Sequence, residues 1–413
     1  MMTAGFTRQD ALALDAASSL TAMRDRFALP EGVIYLDGNS LGALPRTTPA
    51  HLAQVVTGQW GRDLITSWNR HDWIGLPTRL GGMIAPLVGA RADEVIACDS
   101  TSVNLFKLIA GAVALRPDRR TILIEADGFP TDRYMADAVA ALIGGAVRAA
   151  PRDALANQID DDIALVVVTH VDYRSGDRRD MAALTAAAHR MGALILWDLS
   201  HSAGAVPVDL AGSDADLAVG CGYKYLNGGP GAPAFLFVAR RLQDALPSVL
   251  SGWMGHVQPF AFEQSYRPAT GLARFLCGTP PILAMAALEQ GLAQFDGVDL
   301  PNLFAKGEAL GDLFIRLMEA RCGGQGFTLS SPREARARGS HVCFAHDHAY
   351  PICRALIERG VIGDFRAPDL LRMGFAPLYT RFVDVWDAVE IIREVMTGRA
   401  WEDERLQQRE AVT

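Results

Sequence analysis

"ALILWDLSHSAGAVPVDLAGSDADLAVGCGYK" occupies residues 193–224. Two short apolar runs, ALILW and ADLAVG, each give way to polar residues, DLSH after the first and CGYK after the second. A half-exposed strand would alternate apolar and polar. Runs that are apolar throughout belong to strands covered on both faces. The same unit recurs on either side. "EVIACDS" (94–100) leads into "SVNLFKLIAGAVAL" (102–115), and "TILIEA" (121–126) leads into a helical segment starting near Thr131. "IALVVVTH" (163–170) precedes "DMAALTAAAHRMG" (180–192), and "APAFLFVA" (232–239) closes the series. Strands alternating with helices predict a parallel sheet between helical layers. Ligands on such sheets bind beyond the carboxyl ends of the strands. The polar endings CDS, EADGFP, TH, WDLSH and CGYK all fall on that edge.

Past about residue 300 the pattern changes. A helix candidate at 302–321 precedes strand candidates near 326–329, 341–345, 361–365 and 370–373, and a last helix at about 382–397. The sequence thus predicts an α/β chain with an N-terminal arm (1–45), a large domain with a mainly parallel sheet covered by helices (46–298), and a smaller C-terminal α+β domain (299–413). Half of the 413 residues are hydrophobic, which supports a large core and argues against disorder. The net charge of -8 argues against nucleic acid as a partner. No apolar run reaches the roughly 18 residues of a membrane span. The start, MMTAGFTRQDALALDA, lacks the basic and apolar regions of a secretory signal. Six cysteines, with no CxxC pair, predict reduced and mostly buried thiols and a cytoplasmic protein.

Lys224 stands between two tyrosines, after an apolar strand and before a glycine-rich turn. Asp198 ends the preceding strand. A carboxylate and an amine at neighbouring strand ends are what pyridoxal phosphate (PLP) requires. The lysine binds the cofactor's aldehyde, and the acid keeps its ring nitrogen protonated. The phosphate seeks backbone N–H groups and hydroxyls at a helix start, which Thr101 and Ser102 offer in "DSTSVN". Phe129, in "GFPTD", offers an aromatic face for the ring. Taken singly, Asp198 suits a helix cap or magnesium, His201 a satisfied core histidine, and the serines and threonine an N-cap. Their order on one sheet favours PLP. "HDH" (346–348) reads as an exposed turn and not a metal site, and "PREARAR" (332–338) as a solvated loop.

At this point the sequence resembles the kynureninase family of fold type I PLP enzymes, the aspartate aminotransferase-like class. The resemblance runs along nearly the whole chain. It is carried by "IYLDGNSLG" (34–42), "STSVNLFK" (100–107), "FPTD" (129–132), "THVDYRSG" (169–176), "WDLSHSAGAVPVDL" (197–210), "CGYKYLNGGPGAPAF" (221–235), "SGWMGH" (251–256), "CGTPPI" (277–282), "GSHV" (339–342) and "RMGFAPLYT" (372–380). It implies hydrolysis of L-kynurenine to anthranilate and L-alanine in tryptophan degradation, with PLP on Lys224 and Asp198 at the ring nitrogen. It also places His201 and Phe129 at the ring, with Asp132 and Thr169 completing the polar contacts. Thr101, Ser102, Tyr223, Trp253 and Thr279 would hold the phosphate, the last two from the second subunit of a homodimer whose sites lie at the interface. Arg372 matches the arginine that grips the substrate's α-carboxylate, a task for which a guanidinium fork is suited. Tyr223, beside the lysine, is the expected proton donor and acceptor at later steps.

Trp68, His71 and Trp73 in "ITSWNRHDW" (65–73) offer an aryl pocket, or equally an interface. Gly278-Thr279 resembles the bacterial form, which favours kynurenine over its 3-hydroxy derivative. Two other readings compete. A class V aminotransferase or cysteine desulfurase shares the fold, and a desulfurase needs a reactive thiol, for which Cys322, Cys343 and Cys353 are the candidates. A non-enzymatic PLP-binding regulator would bring a basic helix-turn-helix extension, for which neither end of the chain shows a pattern.

Overall fold

The computed structural model describes residues 5–410, in two compact units. Among the described residues, unit 1 joins 5–46, Val171–Arg178 and 294–410; unit 2 is Thr47–His170 with Arg179–Ala293. The segment expected as an arm belongs to unit 1, and it supplies Ala11 and Leu36 to that unit's core. It includes strand β1 (Ile34–Tyr35).

Unit 2 is built on a seven-stranded sheet of β2 (Val95–Ala97), β3 (Thr121–Glu125), β4 (Ala146–Ala150), β5 (Ile163–Thr169), β6 (Leu194–Asp198), β7 (Leu217–Gly220) and β8 (Phe235–Val238). Its order is β2-β8-β7-β6-β5-β3-β4. Every residue of β3, β5, β6, β7 and β8 is buried, as apolar runs on a doubly covered sheet demand. The helix Thr101–Ala114 buries Leu105, Leu108, Ile109 and Ala112 in the same core as Ile124 and Leu196. Ser100 starts that helix by accepting from Val103 N–H at 3.3 Å, a cap worth about 1 kcal/mol.

Two features depart from the expected parallel series. β8 runs antiparallel to β7, and β2 antiparallel to β8. Parallel pairing needs a crossover of about a dozen or more residues, usually a helix. The stretch from β7 to β8 has no helix and is taken up by turns, so the chain returns antiparallel. The polar ends of β2, β5, β6 and β7 still share one edge, because two reversals restore β2 to the direction of β7. Strand β4, sequence AVRAA, went unforeseen, since it is a largely unburied edge strand with an arginine at its centre.

In unit 1, β9 (Thr328–Leu329), β10 (His341–Ala345), β12 (Asp364–Arg366) and β13 (Leu370–Gly374) form an antiparallel sheet of order β12-β13-β10-β9, while β11 (Val361–Ile362) pairs with β1 in parallel. The helix Leu300–Arg321 packs Phe314 against Phe375, ring centroids 5.5 Å apart. Asp15 caps the helix Phe382–Thr397, accepting from Phe382 N–H at 2.8 Å and Val383 N–H at 2.9 Å. Two surface expectations need correction. Arg338, in the run taken for a solvated loop, is 1 % exposed and donates to Pro332 O, Arg333 O and Asp312. His346, in the supposed exposed turn, is buried against Phe327 and meets Gln325 O, because an aromatic neighbour and a carbonyl satisfy its ring.

Candidate active site

The site in unit 2 is assembled at strand ends. Thr169 and Asp198, the last residues of β5 and β6, are register partners. Asp198 is buried and accepts from Ser200 N–H at 2.8 Å. Beyond β7, Lys224 Nζ lies 2.9 Å from His201 Nε2, with the ammonium donating. The turn carrying the lysine is fixed by its backbone. Asn227 adopts φ 57° and donates to Lys224 O at 2.9 Å, and Gly228 N–H donates to Gly222 O. A Cβ on Gly222 would lie 2.3 Å from Pro233 O, so glycine is required there.

All three lysines of the chain are buried. Lys107 pairs with Asp99, and Lys306 donates to Pro377 O, its amine lowered to about 8 chiefly by burial. Lys224 instead faces an imidazole, that of His201.

Asp132, in the first turn of the helix Pro130–Ile143, accepts from Thr169 Oγ1 at 3.2 Å through Oδ2. Its Oδ1 is buried with no hydrogen-bond partner. Burial, then the nearby Asp198, pushes the Asp132 carboxyl well above its ordinary range. Burial also raises Asp198, against the hydrogen bond from Ser200 and the charge of Lys224. Two buried acids short of positive charge, one with an orphaned oxygen, match a ligand bearing a cationic ring and a polar edge. Pyridoxal phosphate is such a ligand, and the buried lysine beside them suits its aldehyde. Lys224, His201, Asp198, Asp132 and Thr169 therefore form one group.

The remaining expected residues are placed as follows in unit 2. Thr101 and Ser102 open the helix Thr101–Ala114. Thr101 lines a cavity of about 480 Å³ together with Asp99, Ser100, Tyr223, Gly231 and Pro281. Tyr223 is half-buried, its ring centroid 5.8 Å from Lys224 Nζ. Phe129 is 39 % exposed at the N-cap of Pro130–Ile143. Trp253 and Thr279 are exposed, Trp253 edge-on to Phe260. Trp68 packs edge-on against Trp73 at 5.8 Å, and His71 meets Asp63 at 2.8 Å, forming a separate cluster. Arg372 is in unit 1, on β13, with its guanidinium bound to Asp364, Ser40 Oγ and Tyr173 O.

Sequence reading missed Glu125, although the polar ending EADGFP contains it. Buried at the end of β3, it accepts from Arg152 at 2.5 Å, Arg179 at 2.7 Å and Thr169 N–H at 3.1 Å, and so holds the threonine that meets Asp132. Its arginines come from distant segments, which no local pattern announces.

The thiols bear on the desulfurase reading. Cys322, Cys343 and Cys353 are buried, and burial pushes Cys322 and Cys343 up to about 12 and Cys353 higher still. Cys343 is in the middle of β10 and Cys353 inside the helix Ala349–Ile357. Inert, enclosed thiols cannot relay sulfur.

Comparison with known proteins adds three findings. Residues 303–392 match the profile of the kynureninase C-terminal domain. The chain is 50 % identical over 414 residues to the kynureninase of Pseudomonas fluorescens, covering 98 % of this chain and 100 % of that one, and 50 % identical over 415 residues to that of Burkholderia mallei (strain SAVP1), again covering 98 % and 100 %. Among solved structures, it is similar to a cysteine desulfurase from Thermococcus onnurineus NA1 (TM-score 0.77, 18 % identity, 91 % of this chain and 98 % of that one) and to the cysteine desulfurase CsdA of Escherichia coli (0.76, 19 %, 92 % and 98 %), likenesses that establish the fold.

Proposed function

The chain belongs to the kynureninase family, a pyridoxal phosphate enzyme hydrolysing L-kynurenine to anthranilate and L-alanine, and we propose that Lys224, Asp198 and Tyr223 carry its reaction. The observation that supports this most is the buried Lys224 amine 2.9 Å from His201, beside the two charge-starved acids Asp198 and Asp132.

When bound, the cofactor supplies an aldehyde to hold the amino acid and a protonated ring that draws electrons from the substrate. The Asp198 carboxylate keeps that ring charged, and Ser200 N–H fixes its orientation. Asp132, Thr169 and His201 would make the polar contacts around the ring, Phe129 would offer it an aromatic face, and Thr101, Ser102 and Tyr223 would hold the phosphate. Lys224 would take the substrate's α-proton, and His201 would receive a hydrogen bond from the ammonium so formed. Arg372 binds the α-carboxylate. One water would add to the γ-carbonyl and the Cβ–Cγ bond would break; a proton from that water would reach Cβ by way of Tyr223, and Lys224 would return the α-proton to Cα, leaving anthranilate and alanine.

Trp253 and Thr279 complete the partner's phosphate site in a homodimer. This is supported by the exposure of Trp253, Phe260 and Phe262 on one stretch of chain (37, 54 and 71 %). Trp68 and His71 border the aryl group. The functional division of the chain is an arm (1–45), a cofactor domain (46–298) and a small domain (299–413). Its unpaired cysteines support a cytoplasmic location, and no helix among the described residues is long and apolar enough to cross a membrane. Release of fluorescent anthranilate from L-kynurenine, compared with the 3-hydroxy compound, tests the substrate. The first is expected to be preferred, and a preference for the second would overturn that choice. Loss of turnover in Tyr223→Phe, with cofactor still bound, supports the proton role; full turnover removes it.

A further inference from the structure

The cavity that Thr101 and Tyr223 share contains an oddity for a site meant to hold a phosphate, a carboxylate in its wall. Asp99 lines that cavity and its side chain is 27 % exposed. It also occupies an uncommon conformation for a residue with a side chain, φ 48°, at the turn between β2 and the helix Thr101–Ala114. An anion in that wall repels a phosphate dianion, unless its charge is cancelled from behind.

Lys107 is placed to do so. It is one turn and a half along the same helix and fully buried, with Nζ 2.5 Å from Asp99 Oδ2 and 2.7 Å from Phe275 O. The helix also holds the turn through Asn104, whose Nδ2 donates to Cys98 O at 2.8 Å, while Ala234 N–H donates to Asp99 O at 2.8 Å. The second grip, on Phe275 O, steadies the segment that runs into Cys277 and Thr279. Gly252, next to Trp253, is so close to Cys277 O that a Cβ there would approach to 1.9 Å. One ammonium thus fixes the turn that presents Thr101 and the stretch on which Trp253 and Thr279 depend.

We propose that Lys107 is a positioning residue for the cofactor's phosphate: it cancels the charge of Asp99 in the wall of the phosphate cavity and locks the turn from which Thr101 projects. The proposal rests on the phosphate assignment given under the proposed function. Its mark is selectivity. Loss of Lys107 should weaken ligands that bear the phosphate and spare those that lack it, whereas a merely structural lysine would affect both alike.

The test uses the full chain stripped of cofactor and titrated with pyridoxal phosphate or with pyridoxal, binding being read from visible absorbance. Lys107→Met is expected to weaken pyridoxal phosphate by about 30-fold, because the uncancelled Asp99 carboxylate then repels the phosphate in a partly screened site. Pyridoxal should change by no more than about twofold. Adding Asp99→Asn, an exchange that suits a left-handed conformation, should restore most of the lost affinity by removing the exposed charge. If Lys107→Met does not fold, Lys107→Gln, which can still donate to Phe275 O, carries the same expectation. Equal loss of both ligands, or no recovery in the double variant, overturns the proposal. Thr101→Asp separates the two levels. If it weakens pyridoxal phosphate selectively while the Lys107 variants do not, only the role of Lys107 fails. If it leaves pyridoxal phosphate unaffected, the phosphate assignment fails and the proposal with it.

Discussion

Replacing Asp364 by asparagine removes the counter-charge of Arg372 while keeping the shape of the side chain. Arg372 is 1 % exposed and Asp364 3 %. Arg372 Nε donates to Asp364 Oδ1 at 2.7 Å, and Nη2 meets the other carboxylate oxygen. The remaining partners, Tyr173 O and Ser40 Oγ, are neutral. Breaking a buried pair by neutralising one partner costs about 3–5 kcal/mol. Asp37 moderates the loss. Burial, then Asp364, holds Asp37 near 7. Once residue 364 is neutral, Asp37 ionises more readily and supplies part of the missing charge. The lower bound, about 3 kcal/mol, is therefore expected for Asp364→Asn, and about 5 kcal/mol when Asp37→Asn is added. For a cooperative unit of this size, the single variant should melt about 6–12 °C lower. Burial alone would raise the Asp364 carboxyl, but Arg372 and Arg366 outweigh it and hold it below its ordinary value. Its contribution is accordingly present above about pH 4 and lost as pH falls through the lower folded value, so the gap closes only in acid. Thermal melts followed by circular dichroism at pH 7 measure it. A single variant within about 2 °C of the wild type would show that Asp364 does not compensate the Arg372 charge.

Asp37 itself makes a prediction of opposite sign. The folded chain retains a proton on it up to about 7, whereas the unfolded chain gives that proton up above about 4, so its presence lowers stability as pH rises between these values. Asp37→Asn should gain stability over the wild type at pH 8 and lose that advantage near pH 4; melts that stay parallel across this range would contradict the assignment. Cys322→Ser and Cys343→Ala should keep anthranilate formation within about threefold, since neither thiol takes part. Sulfur release from L-cysteine that disappears in either variant would revive the desulfurase reading. Mixing chains carrying Lys224→Ala with chains carrying Trp253→Ala/Thr279→Ala should recover activity that neither has alone, because one of the two hybrid sites then has no defect. Inactive hybrids would place both residues in their own subunit's site.

The sheet was legible because β5, β6 and β7 are apolar on both faces, and the polar residue closing each run marks the working edge. Asp198 and Lys224 could be found from that rule with the chemistry of the amine and the acid. The direction of β8 was not, because it depends on how tightly the glycine-rich turn after Lys224 folds back. Glu125 and the Lys107–Asp99 pair were missed for a related reason. Their roles come from partners far along the chain, such as Arg179 and Phe275, that only the folded sheet brings near. Arg338 shows the converse error, in which a basic run looks solvated until its carbonyl partners and Asp312 are seen.

With only Lys107, Lys224 and Lys306 in the chain, the lysine that carries the cofactor can be identified by labelling. The holoenzyme is reduced with borohydride, which makes the cofactor's bond to its lysine permanent, and the labelled residue is located by peptide mass spectrometry. The label is predicted on Lys224 alone, and absent from Lys224→Ala. A label on Lys107 or Lys306, or none on the active enzyme, would contradict the account.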